Sequence, residues 1–201
     1  MLSFSSNNLF FISREQFEGY DNISCLNLSR NGFSSALNGT EFESLPNLTY
    51  LDLSFNKIDL AYPAAFQELQ KLKVLDISFN DHYFKAYGIT NNLDFVKNLP
   101  VLEILNMSNN CIHTLTTKWL QSESLNELRF GHNELGTLWK DDSYFNLFTN
   151  LTYLKILDIS SNNIAAIPDK VYDSLPRNLT DIFMNDIKLE DFHNARKVTM
   201  L

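Results

Sequence analysis

What most constrains the fold of this chain is a spacing that keeps returning. Leu48-x-x-Leu51-x-Leu53-x-x-Asn56-x-Ile58 recurs as Leu72, Leu75, Ile77 and Asn80, then as Leu102, Leu105, Met107, Asn110 and Ile112. It returns again as Leu125, Leu128, Phe130, Asn133 and Leu135, and as Leu154, Leu157, Ile159, Asn162 and Ile164. Upstream, Ile23, Leu26, Leu28, Asn31 and Phe33 fit, and Leu2, Phe4, Asn7 and Leu9 supply the back end of a further copy. In a short strand alternate side chains share a face, so the second and third apolar positions aim inward while their neighbours meet solvent. One such unit cannot bury that face alone, but units stacked ~4.8 Å apart build a continuous apolar wall. The asparagine amide, with two donor hydrogens and an acceptor, is predicted to satisfy backbone groups where the chain turns away from the strand.

A second apolar series, Phe42-x-x-Leu45-x-x-Leu48 and Phe66-x-x-Leu69-x-x-Leu72, lines the inside of the return segment, so both walls of a coil are written in the sequence. These are leucine-rich repeats. The chain is expected to form an α/β leucine-rich-repeat solenoid, a horseshoe segment of about eight repeats with parallel strands on the concave face and no caps. The steps between the ladder asparagines at 7, 31, 56, 80, 110, 133 and 162 are 24, 25, 24, 30, 23 and 29 residues. The two long steps predict irregular loops at 81–92 and 139–150. A last unit, Leu179, Ile182 and Met184, has Ile187 where asparagine should stand, so the repeats are taken to span 1–189 and a frayed, non-repeat tail 190–201.

Charge and rare residues narrow the function. With 24 acidic against 16 basic side chains among 201 residues, a net charge of −8 argues against coating nucleic acid over the whole surface, because that affinity comes from Lys and Arg releasing phosphate counterions. A DNA duplex is not an expected partner. No apolar run approaches a membrane span, and Met1-Leu2-Ser3-Phe4-Ser5-Ser6-Asn7 has neither a basic start nor an apolar core. The sequence therefore reads as intracellular, or as a piece of a longer horseshoe that makes no membrane contact itself. Cys25 and Cys111 lie three repeats apart, roughly 15 Å by strand spacing against a disulfide's reach near 6 Å, so they are expected to be free thiols. Asn22, Asn27, Asn38, Asn47, Asn106, Asn150 and Asn178 head Asn-x-Ser/Thr sequons, an excess that leans toward a glycosylated luminal protein. Asn27 and Asn106 fall inside strands, leaving Asn38, Asn150 and Asn178 as the glycosylation candidates. His82, His113, His132 and His193 lack metal-ligand spacing, and the six glycines form neither a phosphate loop nor a nucleophile elbow, so no enzyme, metal or cofactor is expected.

Phase within the repeat suggests one surface. If equal offsets from successive asparagines stack, offset three gives the column Phe10, Ser34, Asp59, Tyr83 and His113, and offset four gives Phe11, Ser35, Leu60, Phe84 and Thr114. A carboxylate then lies one repeat from aromatic rings. A planar heterocycle could stack there and donate N–H groups to the acceptor-only Asp59. A protein interface is the alternative, and periodicity alone favours it, since exposed aromatic patches on repeat proteins usually meet other proteins.

At these residues the sequence resembles a known family. Asn8-Leu9-Phe10-Phe11-Ile12, Cys25-Leu26-Asn27-Leu28-Ser29, Gly39-Thr40-Glu41-Phe42, Lys57-Ile58-Asp59, His82-Tyr83-Phe84-Lys85-Ala86-Tyr87-Gly88-Ile89-Thr90 and Leu138-Trp139 are similar to the endosomal Toll-like receptors seven, eight and nine. Ile112-His113-Thr114-Leu115-Thr116 tilts the match toward eight. The resemblance implies a C-terminal ectodomain segment of a membrane receptor of the endosome and endoplasmic-reticulum lumen, which pairs with a second protomer and senses nucleosides or short single-stranded RNA in innate immunity. By the same resemblance Asp59, Tyr83, Gly88, Ile89 and Thr90 would contact the ligand, while Phe10, Phe11, Ala36 and Phe84 would line the dimer interface. Ala61 departs from the acidic residue of receptor eight and leaves uridine and guanosine undecided. The competing expectation is a generic repeat module for protein binding, or a truncated decoy, without a small ligand.

Overall fold

The computed structural model describes residues 1–60, 62–81, 91–140 and 143–188. Eight short strands are found among these residues: β1 (Leu2–Ser3), β2 (Cys25–Asn27), β3 (Tyr50–Asp52), β4 (Val74–Asp76), β5 (Ile104–Asn106), β6 (Glu127–Arg129), β7 (Ile156–Asp158) and β8 (Asp181–Phe183). They pair in parallel, in sequence order, in a single sheet. The register repeats from coil to coil: Leu26 faces Leu51, which faces Leu75, which faces Leu105. The central residue of β2 to β7 is buried between two partly exposed neighbours, or in β6 between a partly exposed Glu127 and an exposed Arg129, the period-two alternation the repeat predicts.

Among the described residues the return side is built from turns, the short 3₁₀ helices Arg14–Phe17 and Asp94–Asn98 and a six-residue helix, α1 (Asp169–Ser174). Its inner wall is a phenylalanine column. The centroids of Phe17 and Phe42 are 6.0 Å apart, those of Phe42 and Phe66 6.4 Å, and those of Phe66 and Phe95 5.6 Å. With Leu45, Leu48, Leu69 and Leu72, also buried, these rings close the core against the strand leucines. Of the loop expected at 139–150, residues 141–142 lie outside the described residues; 143–150 run as successive turns, and Trp139, Leu147 and Phe148 are buried. Most of the loop expected at 81–92 lies outside the described residues.

The asparagine ladder holds the coils in step. Asn56 Nδ2 donates to the carbonyls of Leu53 and Ser54 in its own coil, at 3.0 and 3.1 Å, and to that of Leu28 in the coil before, at 3.1 Å. Its Oδ1 accepts the backbone N–H groups of Asn31 at 3.2 Å and Phe33 at 3.3 Å. Asn31 and Asn133 reproduce all five contacts with their own neighbours. The residue before each ladder asparagine is left-handed: Ser6, Arg30, Phe55, Phe79, Asn109, His132 and Ser161 have φ between 52° and 60°. That conformation costs roughly 1–2 kcal/mol for a non-glycine residue, and the amide bonds offset it.

A second polar device lies at the return turns. Glu41, buried, accepts the N–H groups of Asn38, Gly39 and Thr40 at 3.0, 3.1 and 3.2 Å. One coil on, Glu68 Oε1 accepts the Phe42 N–H at 3.0 Å, while its Oε2 is buried without a partner. Burial raises the Glu68 carboxyl above its ordinary value, and the nearby charges of Glu41 and Glu43 push the same way.

Two outcomes are expected. Asn56→Ala leaves the Asn31 and Phe33 N–H groups without an acceptor and takes one of two donors from each of the Leu28, Leu53 and Ser54 carbonyls, and should lower stability by about 3 kcal/mol in urea denaturation; Asn7→Ala, at an exposed position, should cost about 1 kcal/mol. For Glu68 the raised value means that folding favours the protonated form. Its contribution is full below the unfolded carboxyl value and is lost as pH rises through the folded one. Glu68→Gln should therefore raise the denaturation midpoint above wild type at neutral pH, with the gain shrinking as pH falls toward about 4.3.

Candidate functional site

Past the asparagine turn the coils fall out of step. The backbone bridge pairs Ala36 with Asp59, not Ser34 with Asp59: Asp59 N–H reaches the Ser35 carbonyl at 3.4 Å and Leu37 N–H reaches the Asp59 carbonyl at 3.3 Å. The column of equal offsets is therefore corrected by two residues. The same slip appears where Gly32 N–H meets Leu9 O at 2.8 Å, where Lys57 N–H meets Phe33 O at 2.7 Å, and where Glu134 N–H meets Ile112 O at 2.8 Å. Its cause is the ladder amide. Asn56 Oδ1 takes the N–H groups of Asn31 and Phe33 as a carbonyl would, so backbone pairing resumes only two residues further along the earlier coil.

This slip makes Ala36 the direct neighbour of Asp59, and both are half-buried at the margin of the sheet. The Asp59 carboxylate has no hydrogen bond or ion pair among the described residues, whereas strand carboxylates such as Asp52 and Asp76 accept the backbone N–H of Ser54 and Ser78, each at 2.9 Å. Phe10 and Phe11 are 67% and 61% exposed, an unusual cost for two adjacent rings. The Cδ1–Cε1 edge of the Phe10 ring lies against Gly32, where an added Cβ would come to 2.8 Å from the ring. Phe11 borders an apolar cavity of about 150 Å³ with Phe4, Leu9, Ile12, Phe17 and Phe33. Tyr83, Phe84, Gly88, Ile89 and Thr90 lie outside the described residues, as does Ala61.

A neighbouring feature escaped the phase reading. Phe55 and Phe79 stack at 4.1 Å with ring planes 7° apart, and the Arg30 guanidinium lies 3.9 Å over the Phe55 ring. Both rings are exposed, at 36% and 42%. The signal was available, since all three immediately precede a ladder asparagine and so share one left-handed position that throws the side chain outward.

The sequon asparagines divide by what their amides do. Asn27 Oδ1 accepts Ser29 N–H at 2.9 Å, and Asn106 Nδ2 donates to Asp76 at 2.9 Å, so both are occupied in the turn. Asn178 is exposed, but its Nδ2 donates to the Thr152 carbonyl at 2.6 Å. Asn38 is exposed and accepts the Thr40 hydroxyl at 2.8 Å. Asn150 is exposed with no hydrogen bond among the described residues. Cys25 and Cys111 are both half-buried and not joined in a disulfide. Among the described residues no helix is long and apolar enough to cross a membrane.

Comparison with known proteins places this architecture. Residues 34–81 match a family described as leucine rich repeat, and residues 150–166 match a second family of that description. Over 95% of its length the chain is 43% identical to Toll-like receptor 7 of Mus musculus. It is a leucine-rich-repeat chain related to Toll-like receptors 7, 8 and 9. Identity to Toll-like receptor 8 of Homo sapiens is 44% over 96% of the chain, and to Toll-like receptor 9 of Homo sapiens 37% over 95%. The chain spans 18% of the length of the first of these receptors and 19% of the other two.

One consequence of the Phe10–Gly32 contact can be measured. Gly32→Ala is expected to drive the Phe10 ring off the backbone while changing stability by less than about 1 kcal/mol, because the ring is largely exposed. The displacement should appear as a shift of the Phe10 ring signals in NMR with the strand amides unmoved.

Proposed function

We propose that this chain is an ectodomain segment of a pattern-recognition receptor, and that Asp59 holds the edge of a nucleoside or a short single-stranded RNA product where two protomers meet. The observation that carries this reading is the half-buried, unpartnered Asp59 carboxylate in backbone register with Ala36. An acceptor left open at a solvent-facing margin suits the N–H donors of a heterocycle. The exposed Phe10 and Phe11, two coils upstream, suit a contact with a second protomer. Tyr83, Gly88, Ile89 and Thr90 are assigned to the same ligand, and Phe84 to the protomer contact, on the resemblance to Toll-like receptors alone. Endosomal residence belongs to this proposal, as does signalling by the whole receptor.

Acidification enters through charge. A chain of net charge −8 repels its copy and repels RNA, and protonation of carboxylates and histidines lessens both. Dimer formation by the ectodomain is therefore expected to strengthen between pH 7.5 and about 5 in sedimentation runs.

A protein-binding module without a small ligand is the second reading, supported by the exposed Arg30–Phe55–Phe79 stack. Calorimetry with uridine and with guanosine on the dimeric ectodomain separates the two. Asp59→Ala should weaken nucleoside binding by about tenfold or more, the loss of one hydrogen bond to a charged acceptor. Unchanged affinity would remove the ligand assignment and leave the protein-binding module.

A further inference from the structure

The 23-residue step from Asn110 to Asn133 lies between steps of 30 and 29 residues, and the shortfall shows on the return side. Phe17, Phe42, Phe66 and Phe148 each stand fourteen residues before their ladder asparagine and are buried. The equivalent residue in the short coil is Trp119, which is 54% exposed, while the smaller Leu120 enters the core in its place. Between the short coil and its longer neighbours a trench opens. One half has a volume of about 320 Å³ and is lined by Asp94, Lys97, Thr116, Lys118, Trp119 and Gln121. The other, of about 560 Å³, is lined by Lys97, Gln121, Ser122, Glu123, Asn150 and Thr152. Lys97 and Gln121 line both halves, which therefore lie side by side.

We infer that this trench is the bed of an N-linked oligosaccharide carried on Asn150. Two residues of the Asn150-Leu151-Thr152 sequon form part of its wall, so a sugar joined to Asn150 starts at the trench mouth. The Asn150 amide is exposed and gives up no hydrogen bond to the described residues when it is modified, unlike Asn178, Asn47 and Asn106, whose Nδ2 atoms already donate to Thr152, Asp21 and Asp76. The lining suits a saccharide. Lys97 and Lys118 are balanced by Asp94 and Glu123, so no net field draws an anion, while amide, hydroxyl and charged groups meet the dense donors and acceptors of sugar rings. Trp119 supplies the flat, partly apolar face on which a pyranose lies. The covalent tether raises the local sugar concentration to about the millimolar range, enough to fill a site that would bind free sugar weakly. The inference rests on the ectodomain part of the reading above and not on nucleoside binding.

The test is made on the full chain, secreted behind an added leader from animal cells that glycosylate. Glycopeptide mass spectrometry is expected to find Asn150 occupied. Endoglycosidase treatment of the folded protein should release the Asn150 glycan about tenfold more slowly than the glycan at Asn38, with no difference after denaturation. Trp119→Ala, at an exposed position, should abolish the delay without moving the denaturation midpoint. A bare Asn150, equal release at both sites, or a delay unchanged by Trp119→Ala would each overturn the bed. Because the leader supplies entry to the lumen, any of these results leaves the ectodomain reading standing.

Discussion

The carboxamide of the ladder asparagine is the constraint on which the rest of the structure depends. Each one closes the turn of its own coil and grips the coil before it, so the stack is held by side-chain bonds as much as by the three-residue strands. Strands this short give few backbone bonds per coil, and a left-handed residue at every turn adds a cost of roughly 1–2 kcal/mol. The amide offsets that cost because two N–H groups of the earlier coil would otherwise stay unpaired. Where Ile187 replaces the asparagine, Asp186 keeps a φ of 53°, so the stacked neighbour, through Ser161 N–H to Asn185 O at 2.6 Å, holds the shape without the amide. The ladder stabilises the turn, and the stack defines it.

The same interaction sets the candidate site. By taking two N–H groups from the earlier coil, Asn56 Oδ1 displaces the backbone register that follows, and the displaced register carries Asp59 to Ala36. A carboxylate in that place has no N–H to accept, unlike Asp52 and Asp76 at the strand ends. A structural device thus leaves an open acceptor at the sheet margin. On the proposed reading this acceptor takes the edge of a nucleoside, and the exposed Phe10–Phe11 pair meets a second protomer.

How much was legible in the sequence follows from what each level of structure needs. The strands, their order and the two buried walls were readable because burial repeats with the spacing of Leu51, Leu53 and Phe42, which a linear pattern records. The pairing of Asp59 with Ala36 was not, because it depends on a side chain acting as a backbone acceptor, and equal offsets assume backbone pairing throughout. Trp119 shows a related limit: its spacing matches the phenylalanine column, yet a coil shortened to 23 residues turns it outward and seats Leu120. The Arg30–Phe55–Phe79 stack was readable in principle, since it sits one residue before the ladder, but hydrophobic periodicity does not single out outward positions. Gly88, Ile89 and Thr90 fall in an insertion without a repeat partner, where only resemblance speaks, whereas Tyr83 and Phe84 stood in the equal-offset columns as well.

Native-state hydrogen exchange tests the central claim most directly. The N–H groups of Phe33, Ile58, Asn80, Ile112 and Leu135 bond to asparagine side-chain oxygens, not to backbone carbonyls. If the amides are rungs of the stack, these protons exchange as slowly as those of Leu53 and Ile77, which bond across coils to the Asp76 and Asn106 carbonyls. Exchange at the rate of exposed turns, with Leu53 and Ile77 still protected, would show that the strands hold the coils by themselves and that the ladder is incidental.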